Sequence, residues 1–579
     1  MSFRFALPQE LRGAVDLAAA DWHSNSKVAR FWQKDPSLWT RDSEEKWLGW
    51  IDIVERQQQD LADFAALAAD MKAAGFKTLL LLGMGGSSLC PEVLATTFGQ
   101  QPGFPALHIV DSTDPAQVKA ARDKVNLKET LVIAASKSGS TLEPNILKQY
   151  FFEEMKKAVG AEKAGMHFVA ITDPGSKMEQ VAKADGFRHI FYGDPQIGGR
   201  YSALSNFGVV AAAVAGLDTP KLLNEAAKAV SSARLATGEN PAVELGLILG
   251  TAANAGRDKI TIFTSPEIYD LGAWLEQLIA ESTGKLGKGI TPVDREGIAA
   301  PEVYGEDRIF VYVRLAGTAD KSQDAKVAAI EAAGHPVVEI EIRDLYEIFG
   351  QFFAWEIATA VAGSVMGINP FNQPDVESAK IETRSLTEAY EKTGTLPERK
   401  PVLVDKNGIE VYATEAYAAL LKEAAPAQTL AGYLRAHLDQ IHAGDYFAAL
   451  AFLPMFPQHE QAIQGFRHKV RDTKRAATCL GFGPRFLHST GQDYKGGPNT
   501  GVFLQITVDH AVDVEIPGQN YSFGVVITAQ AAGDLAVLES RGRRAVRVHL
   551  KADVAAGLKQ LVAAMDEALK LEQGSAIPG

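Results

Sequence analysis

A repeated alternation of strand-length apolar runs with helix-length stretches constrains this chain more than any other feature. Lys77 is followed by Thr-Leu-Leu-Leu-Leu and Gly83, a continuous run of the kind buried on both faces of a parallel sheet. Further strands are predicted at 107–112, 130–136, 166–172 and 188–192, with helices at 88–98, from 115, over 142–159 and from 176. Five strands separated by helices predict a doubly wound α/β domain. A long amphipathic helix is expected before them, over 43–75. Asp42 and Glu45 would form its capping box and Gly75 its stop.

After a helical stretch at 202–254 the alternation returns. Strands are predicted at 259–265, 308–315 and 336–343, with helices at 268–283, 321–333 and 347–366. A Pro- and charge-rich linker follows, and beyond it a third α/β unit. Its predicted strands lie near 408–413, 445–453, 502–508, 522–529 and 545–550. Its helices are expected near 413–423, 427–439, 458–472 and 553–570. The division read from this pattern is an N-terminal arm at 1–42, parallel-sheet domains at 43–235 and 236–392, a linker at 393–400 and a C-terminal unit at 401–579. A chain of 579 residues, 46% hydrophobic, has enough apolar surface for several cores.

Charge and cysteine content narrow the function. With 58 basic and 71 acidic residues the net charge is −13, so no global field favours nucleic acid or anionic membrane, and any anion site must be local. Two cysteines, Cys90 and Cys479, exclude a disulfide scaffold or a Cys-based zinc cluster and suit a reducing cytoplasm. The opening MSFRFALPQELRGAV lacks a signal-peptide pattern, and no run approaches about 18 consecutive apolar residues. The expectation is a cytoplasmic enzyme with no membrane or nucleic-acid partner.

Five short segments carry chemistry. Gly83-Met-Gly85-Gly86-Ser87-Ser88 ends the first strand and opens a helix, where glycines let a ligand approach the backbone and free N–H groups favour an anion. A tight structural turn would use the same glycines. A dinucleotide loop would too, with Asp111 as its ribose acid, but Ser88 stands where that fingerprint needs glycine or alanine. Ser136-Lys137-Ser138-Gly139-Ser140-Thr141 also joins a strand to a helix. Its hydroxyls exceed what an N-cap needs and suit a phosphate. Gly198-Gly199-Arg200-Tyr201-Ser202 places an anion-clamping Arg before a helix. Gln277 and Glu281 share one helix face at i, i+4. In Asn369-Pro-Phe-Asn-Gln373, continuing to Lys380, the Gln and Lys are seven apart. Each of the last three would also serve as an ordinary turn or solvated helix face.

In this order the five segments resemble the phosphoglucose isomerase family: a glycine–serine loop, SK(S/T)-x-(S/T)T, GGR-(Y/F)-S, Q-x-x-x-E-S and NPF-x-Q followed by Lys. The resemblance covers about 45–392 and implies two sugar-isomerase (SIS-type) domains. Residues 401–579 resemble the tail of bifunctional transaldolase–phosphoglucose isomerase chains, without the transaldolase barrel that precedes it there.

The resemblance implies interconversion of glucose 6-phosphate and fructose 6-phosphate, a step of glycolysis and gluconeogenesis, through a cis-enediol. It implies Glu281 as the base, Arg200 beside the enediolate oxygens and Lys380 near the ring oxygen. Ser136, Lys137, Ser138, Ser140 and Thr141 would hold the phosphate. Gly85, Gly86, Ser87, Gln277 and Gln373 would line the sugar. No cofactor or metal is implied; the partners are small sugar phosphates and, as is common in the family, a second copy in a homodimer.

The family's ring-opening His has no counterpart between Gly287 and Leu315. His335 comes next, before a strand. A richer segment is 485–501, whose His488 and Lys495 lie among glycines and hydroxyls. The expectation is that this third unit folds back so that His488 or Lys495 reaches Glu281. A non-catalytic sugar-phosphate sensor on the same domains is the alternative; it would need the phosphate loop but not the Gln277–Glu281 pair. An NAD-type oxidoreductase would not need the second loop's hydroxyls.

Overall fold

The computed structural model describes residues 1–318 and 320–573; the last six residues of the expected C-terminal unit lie outside them. Among the described residues sixteen strands form three sheets. β1 (Ser2–Ala6) opens the chain. β2 (Thr78–Leu82), β3 (Ala106–Val110), β4 (Thr130–Ala135), β5 (Phe168–Thr172) and β6 (His189–Tyr192) make an all-parallel sheet in the order β3-β2-β4-β5-β6. The order reverses between β2 and β4, so the crevice beyond their carboxyl ends is a topological switch point. The loops at 83–88 and 136–141 leave those two strands, which explains why both carry chemistry.

The second sheet has β7 (Lys259–Thr264), β8 (Thr291–Val293), β9 (Arg308–Leu315) and β10 (Val337–Ile342) parallel, in the order β1-β10-β9-β7-β8. β1 is its antiparallel edge, with Phe3 opposite Ile340. The segment read as an N-terminal arm therefore completes this sheet, and Arg12 reaches Glu244 at 3.0 Å. The third sheet holds β11 (Leu403–Val404), β12 (Glu410–Tyr412), β13 (Tyr446–Phe452), β14 (Ala477–Phe482), β15 (Gly501–Val508) and β16 (Arg544–Leu550), in the order β11-β12-β16-β15-β13-β14.

Three expectations are corrected. The helix expected over 43–75 is broken into 3₁₀ turns at Glu44–Trp47 and Gly49–Asp52, then helices Ile53–Gln59 and Leu61–Ala74. Buried Glu44, not Glu45, reaches back, accepting from the Thr40 amide at 2.9 Å and hydroxyl at 2.6 Å. The Gly49 amide donates to Gln196 O at 3.0 Å, which takes it out of a helical ladder. Gly75 ends the last helix at φ +71° as expected.

Residues 522–529 form no strand but the start of helix Phe523–Ser540, with the Ser522 hydroxyl capping Val525. A short apolar run does not distinguish the two states; length does, and here the apolar character continues for 18 residues. Conversely β14 has no counterpart among the expected strands, because Ala477-Thr-Cys-Leu-Gly-Phe has little β-branched content. Helices Glu347–Met366 and Phe523–Ser540 are long and apolar enough to span a membrane by composition. Both are mostly buried in protein, the first against helices Thr219–Ala233 and Pro241–Asn254.

The third unit is not an appendage. Ile516, Phe523 and Val526 share a core with Leu80, Val132 and Phe151 of the first sheet's layer. Fully buried Arg308 meets Glu296 at 3.0 Å, and Glu296 in turn accepts from the Thr478 amide and hydroxyl, joining the second sheet to the third. Arg485 pairs with Glu92 at 2.6 Å and with buried Asp111 at 2.8 Å. The residue that a dinucleotide fold would offer to a ribose is thus committed to a guanidinium.

Arg485→Met should leave buried Asp111 and half-buried Glu92 without their cation. The expected loss is about 3–5 kcal/mol of unfolding free energy at pH 7, read from urea denaturation. Burial raises the Asp111 pKa, so the loss should shrink as pH falls and the carboxyls take up protons.

Candidate active site

The helix Leu271–Thr283 follows β7 and presents Gln277 and Glu281 on one buried face. The Gln277 amide Nε2 donates to Glu281 Oε2 at 3.1 Å and to the backbone carbonyl of His488 at 2.8 Å. The third unit therefore does reach the Glu281 pocket within the same chain. Gly85 closes on the same point: a Cβ there would lie 2.6 Å from Gln277 Nε2 and 2.9 Å from His488 O, at φ +55°. Glycine is required on both counts. A Cβ on Gly86 would fall 1.9 Å from Gly199 O, so the 83–88 and 198–202 loops touch backbone to backbone. The Ser202 hydroxyl ties them, donating to Gly199 O at 2.6 Å and Gly86 O at 3.3 Å. Ser87 is buried on this loop.

Arg200, 1% exposed, is oriented by four bonds. Nε donates to Ser282 at 2.7 Å, Nη1 to Gln373 Oε1 at 2.8 Å, and Nη2 to Pro370 O and Asn372 O at 2.7 and 2.9 Å. Its Nη1 stands 3.5 Å from Glu281 Oε1. The Asn369–Gln373 turn serves two cations: Lys285 Nζ donates to Asn369 O at 2.8 Å and to Asn372 Oδ1 at 3.0 Å. Burial, and then the charge of Arg200, lowers the Lys285 pKa well below the usual range. Lys285 was missed in the sequence, although it follows Glu281-Ser-Thr-Gly directly.

The His488 imidazole is held separately. Nε2 lies 2.9 Å from Glu143 Oε1, which also accepts from Gln530 Nε2 at 2.7 Å; Gln530 Oε1 accepts from the Thr113 hydroxyl at 2.6 Å. Burial acts against the Glu143 charge, yet opposing His488 and Lys380 leave its pKa below the ordinary carboxylate value. A carboxylate there accepts, so Nε2 carries the hydrogen. Among the described residues Nδ1 has no partner. Lys380, on helix Pro374–Thr393, thus belongs to the Glu143–His488 side of the site. Lys495 does not reach the pocket: buried, it pairs with Asp534 at 2.6 Å. Glu143 and Gln530 were not singled out from the sequence, one resembling an ordinary helix-start acid and the other following directly on the misassigned strand.

Glu143 also links this cluster to the hydroxyl loop, since it is the second residue of helix Leu142–Val159, which starts directly after Thr141. Ser138 and Ser140 are exposed, their hydroxyls 2.8 Å apart, and the Thr141 N-cap makes no side-chain capping bond. Gly139 is fixed at φ +66° against the Met178 amide. The Ser136 hydroxyl is buried without a partner, as is Gln277 Oε1, and each is a polar atom a ligand could satisfy. Lys137 is different: Asp173 takes its ammonium. It is thus a brace for the loop rather than a free cation. The described residues include no cluster of three or more His, Cys, Asp or Glu suited to a metal.

Residues 57–307 match the family described as phosphoglucose isomerase. A glucose-6-phosphate isomerase of Rubrobacter xylanophilus is 30% identical over 372 residues, covering 56% of this chain and 86% of its own. The chain belongs to the phosphoglucose isomerase family. A probable glucose-6-phosphate isomerase of Methanococcus maripaludis is 28% identical over 345 residues, covering 53% and 77%. Among solved structures, a hypothetical protein of Thermus thermophilus superposes with a TM-score of 0.57 at 23% identity, over 66% of this chain and 99% of that one. A glucose-6-phosphate isomerase of Chlamydia trachomatis does so with 0.50 at 21%, over 59% and 74%. These two bear on the fold alone. The family match takes in Arg200, Gln277 and Glu281, whereas Lys380 and His488 lie beyond it.

Gly86→Ala should force the Gly199 backbone, and with it Arg200, away from Glu281. Overpacking of this kind costs about 1–3 kcal/mol, to be read as a lowered melting temperature. Turnover should fall far more than stability, whereas Gly465→Ala, on helix Pro457–Lys474 with open space around it, should leave turnover intact.

Proposed function

We propose that this protein isomerises glucose 6-phosphate and fructose 6-phosphate, with Glu281 as the base. The observation that carries this reading is that three parts of the chain meet here. Glu281 lies beside the Arg200 guanidinium and is joined through the Gln277 amide to the backbone carbonyl of His488, whose imidazole is held by Glu143. An aldose–ketose isomerase needs those three functions: a base at the reacting carbons, a fixed cation for oxyanion charge, and an acid for ring opening.

The phosphate would bind at 136–141, held by the hydroxyls of Ser138, Ser140 and Thr141 and the amino end of the following helix. Anchored there, the sugar extends over Gly85, Gly86 and Ser87 toward Glu281. His488 Nδ1, protonated while Glu143 holds Nε2, donates its proton to the ring oxygen as the bond from that oxygen to C1 breaks, and the C1 hydroxyl gives its proton to solvent water to leave the C1 carbonyl. Lys380 adds positive charge on this side. Glu281 then takes the proton from C2, the electron pair of that C–H bond forms the enediol double bond, and the C1 oxygen takes the displaced carbonyl pair and a proton from solvent water. The same carboxyl returns its proton to C1 while the C2 hydroxyl gives its own back to solvent water, leaving the ketose. Arg200 is charged throughout and already oriented, so it stabilises the enediolate without reorganising. Gln277 Oε1 and Gln373 accept or donate to hydroxyls.

Glu281→Gln keeps the shape and removes the base. Turnover should fall by about 10²–10⁴, while fructose 6-phosphate still binds in calorimetry. A protein that only senses sugar phosphates would show no conversion in the unmodified chain, followed by NMR without added NAD or metal.

His488→Ala should slow conversion of cyclic glucose 6-phosphate by about 10²-fold or more. It should spare solvent-proton exchange at C2 of an open-chain analogue, since Glu281 remains. Equal losses on both substrates would assign His488 a structural role.

A further inference from the structure

A second cavity, of about 290 Å³, lies in the third unit between β12, β15 and β16, helix Phe523–Ser540 and the segment that enters from residue 396. It is near the lower end of the about 300–1,000 Å³ usual for small-molecule sites. The polar residues on its wall include Arg399, Arg547, Thr507, His510, Thr528 and His549.

Arg547 sets its character. Nε donates to Gln505 Oε1 at 2.7 Å and Nη2 to Ala531 O at 2.8 Å. Among the described residues Nη1 has no partner, and no carboxylate is within ion-pairing distance of the guanidinium. The nearby acids are committed elsewhere: Asp534 to Lys495 at 2.6 Å, Glu539 to Arg399 at 2.7 Å. Asp509, the carboxylate on the wall, is half exposed and sits 3.0 Å from His549 Nε2. His510 lies 4.0 Å from Asp114 Oδ2. Burial, with Arg399 next, brings the Arg547 pKa down to about 10. A half-buried cation hydrogen-bonded only to neutral acceptors lacks a paired counter-charge, and an oxyanion at Nη1 would supply one.

The wall helix is also the helix that serves the active site. Ala531, which accepts from Arg547, follows Gln530, which holds Glu143 and hence His488. Gln505 Nε2 donates to both Ala531 O and Asp534 Oδ2, at 3.1 Å each, so Arg547, Gln505 and the helix are tied into one unit.

We propose that this cavity is a regulatory site for the phosphate or carboxylate group of a small metabolite, recognised by Arg547 and felt at His488 through helix Phe523–Ser540. Its regulatory half rests on the isomerase reading; its binding half does not.

Calorimetry on the full chain separates the two. The background is Ser138→Ala with Thr141→Ala, which weakens the active-site phosphate loop. Inorganic phosphate and malonate are the two probes, with chloride at matched ionic strength as the blank. The expected result is one site per chain for at least one probe, weakened tenfold or more by Arg547→Gln. Ala532→Leu, which fills the cavity without touching a charge, should do the same and carries the test if Arg547→Gln does not fold. No binding by either probe, binding matched by chloride, or binding unchanged in a folded variant would overturn the site. In the unmodified chain, the effective probe should change kcat at saturating sugar phosphate by at least twofold, and the cavity variants should abolish that change while keeping basal turnover. A kcat unmoved by a bound probe would overturn regulation alone. Absence of any isomerase turnover would instead count against the reading of the active site.

Discussion

His488 is held from two sides, and the candidate site depends on that clasp. Its backbone carbonyl takes the Gln277 amide that also reaches Glu281, while its imidazole meets Glu143. One residue of the third unit is thereby fixed against the second domain's helix and the first domain's helix start. A hydrogen bond to a charged group contributes about 1.5–3 kcal/mol, too little to hold two large units together. The buried Arg485–Glu92–Asp111 contact, the Arg308–Glu296–Thr478 contact and the shared apolar core around Phe523 do that. The clasp then needs only to orient side chains.

Buried charge is handled in two ways. Around Glu281 nearly every ionic group has assigned partners: Arg200 has four hydrogen-bond acceptors and Lys285 is wrapped by carbonyls. Such satisfied networks hold geometry to the tolerance catalysis requires. Ser136 Oγ and Gln277 Oε1 are among the buried atoms left unsatisfied, and in the proposed reading a phosphorylated sugar would supply their partners. Arg547 leaves one guanidinium nitrogen without a partner in a cavity, which is why it points to a ligand rather than to a structural pair.

Much of the fold was legible. Apolar runs bounded by glycine or hydroxyl residues located β2 and β4 within a residue, because strands buried on both faces have no alternation to blur. Four of the five segments found from residue type are in contact: the glycine loops touch at Gly86 and Gly199, and Arg200 reaches both Gln373 and Glu281. Failures came where local pattern was ambiguous. The run 522–529 has strand-like β-branched residues but lies in a helix made apolar by burial, and the 43–75 helix is interrupted because Glu44 and Gly49 bond to distant or reversed backbone.

The sequence by itself determined the α/β alternation, the phosphate-suited loop and the Gln277–Glu281 pair, since each rests on spacing within one strand or helix. Only the tertiary structure decided that β1 completes the second sheet, that Lys137 and Lys495 are committed to Asp173 and Asp534, and that Glu143 and Gln530 orient His488. Those contacts join residues up to several hundred positions apart. Which buried charge finds which partner is settled by packing three sheets together, not by any pattern along the chain.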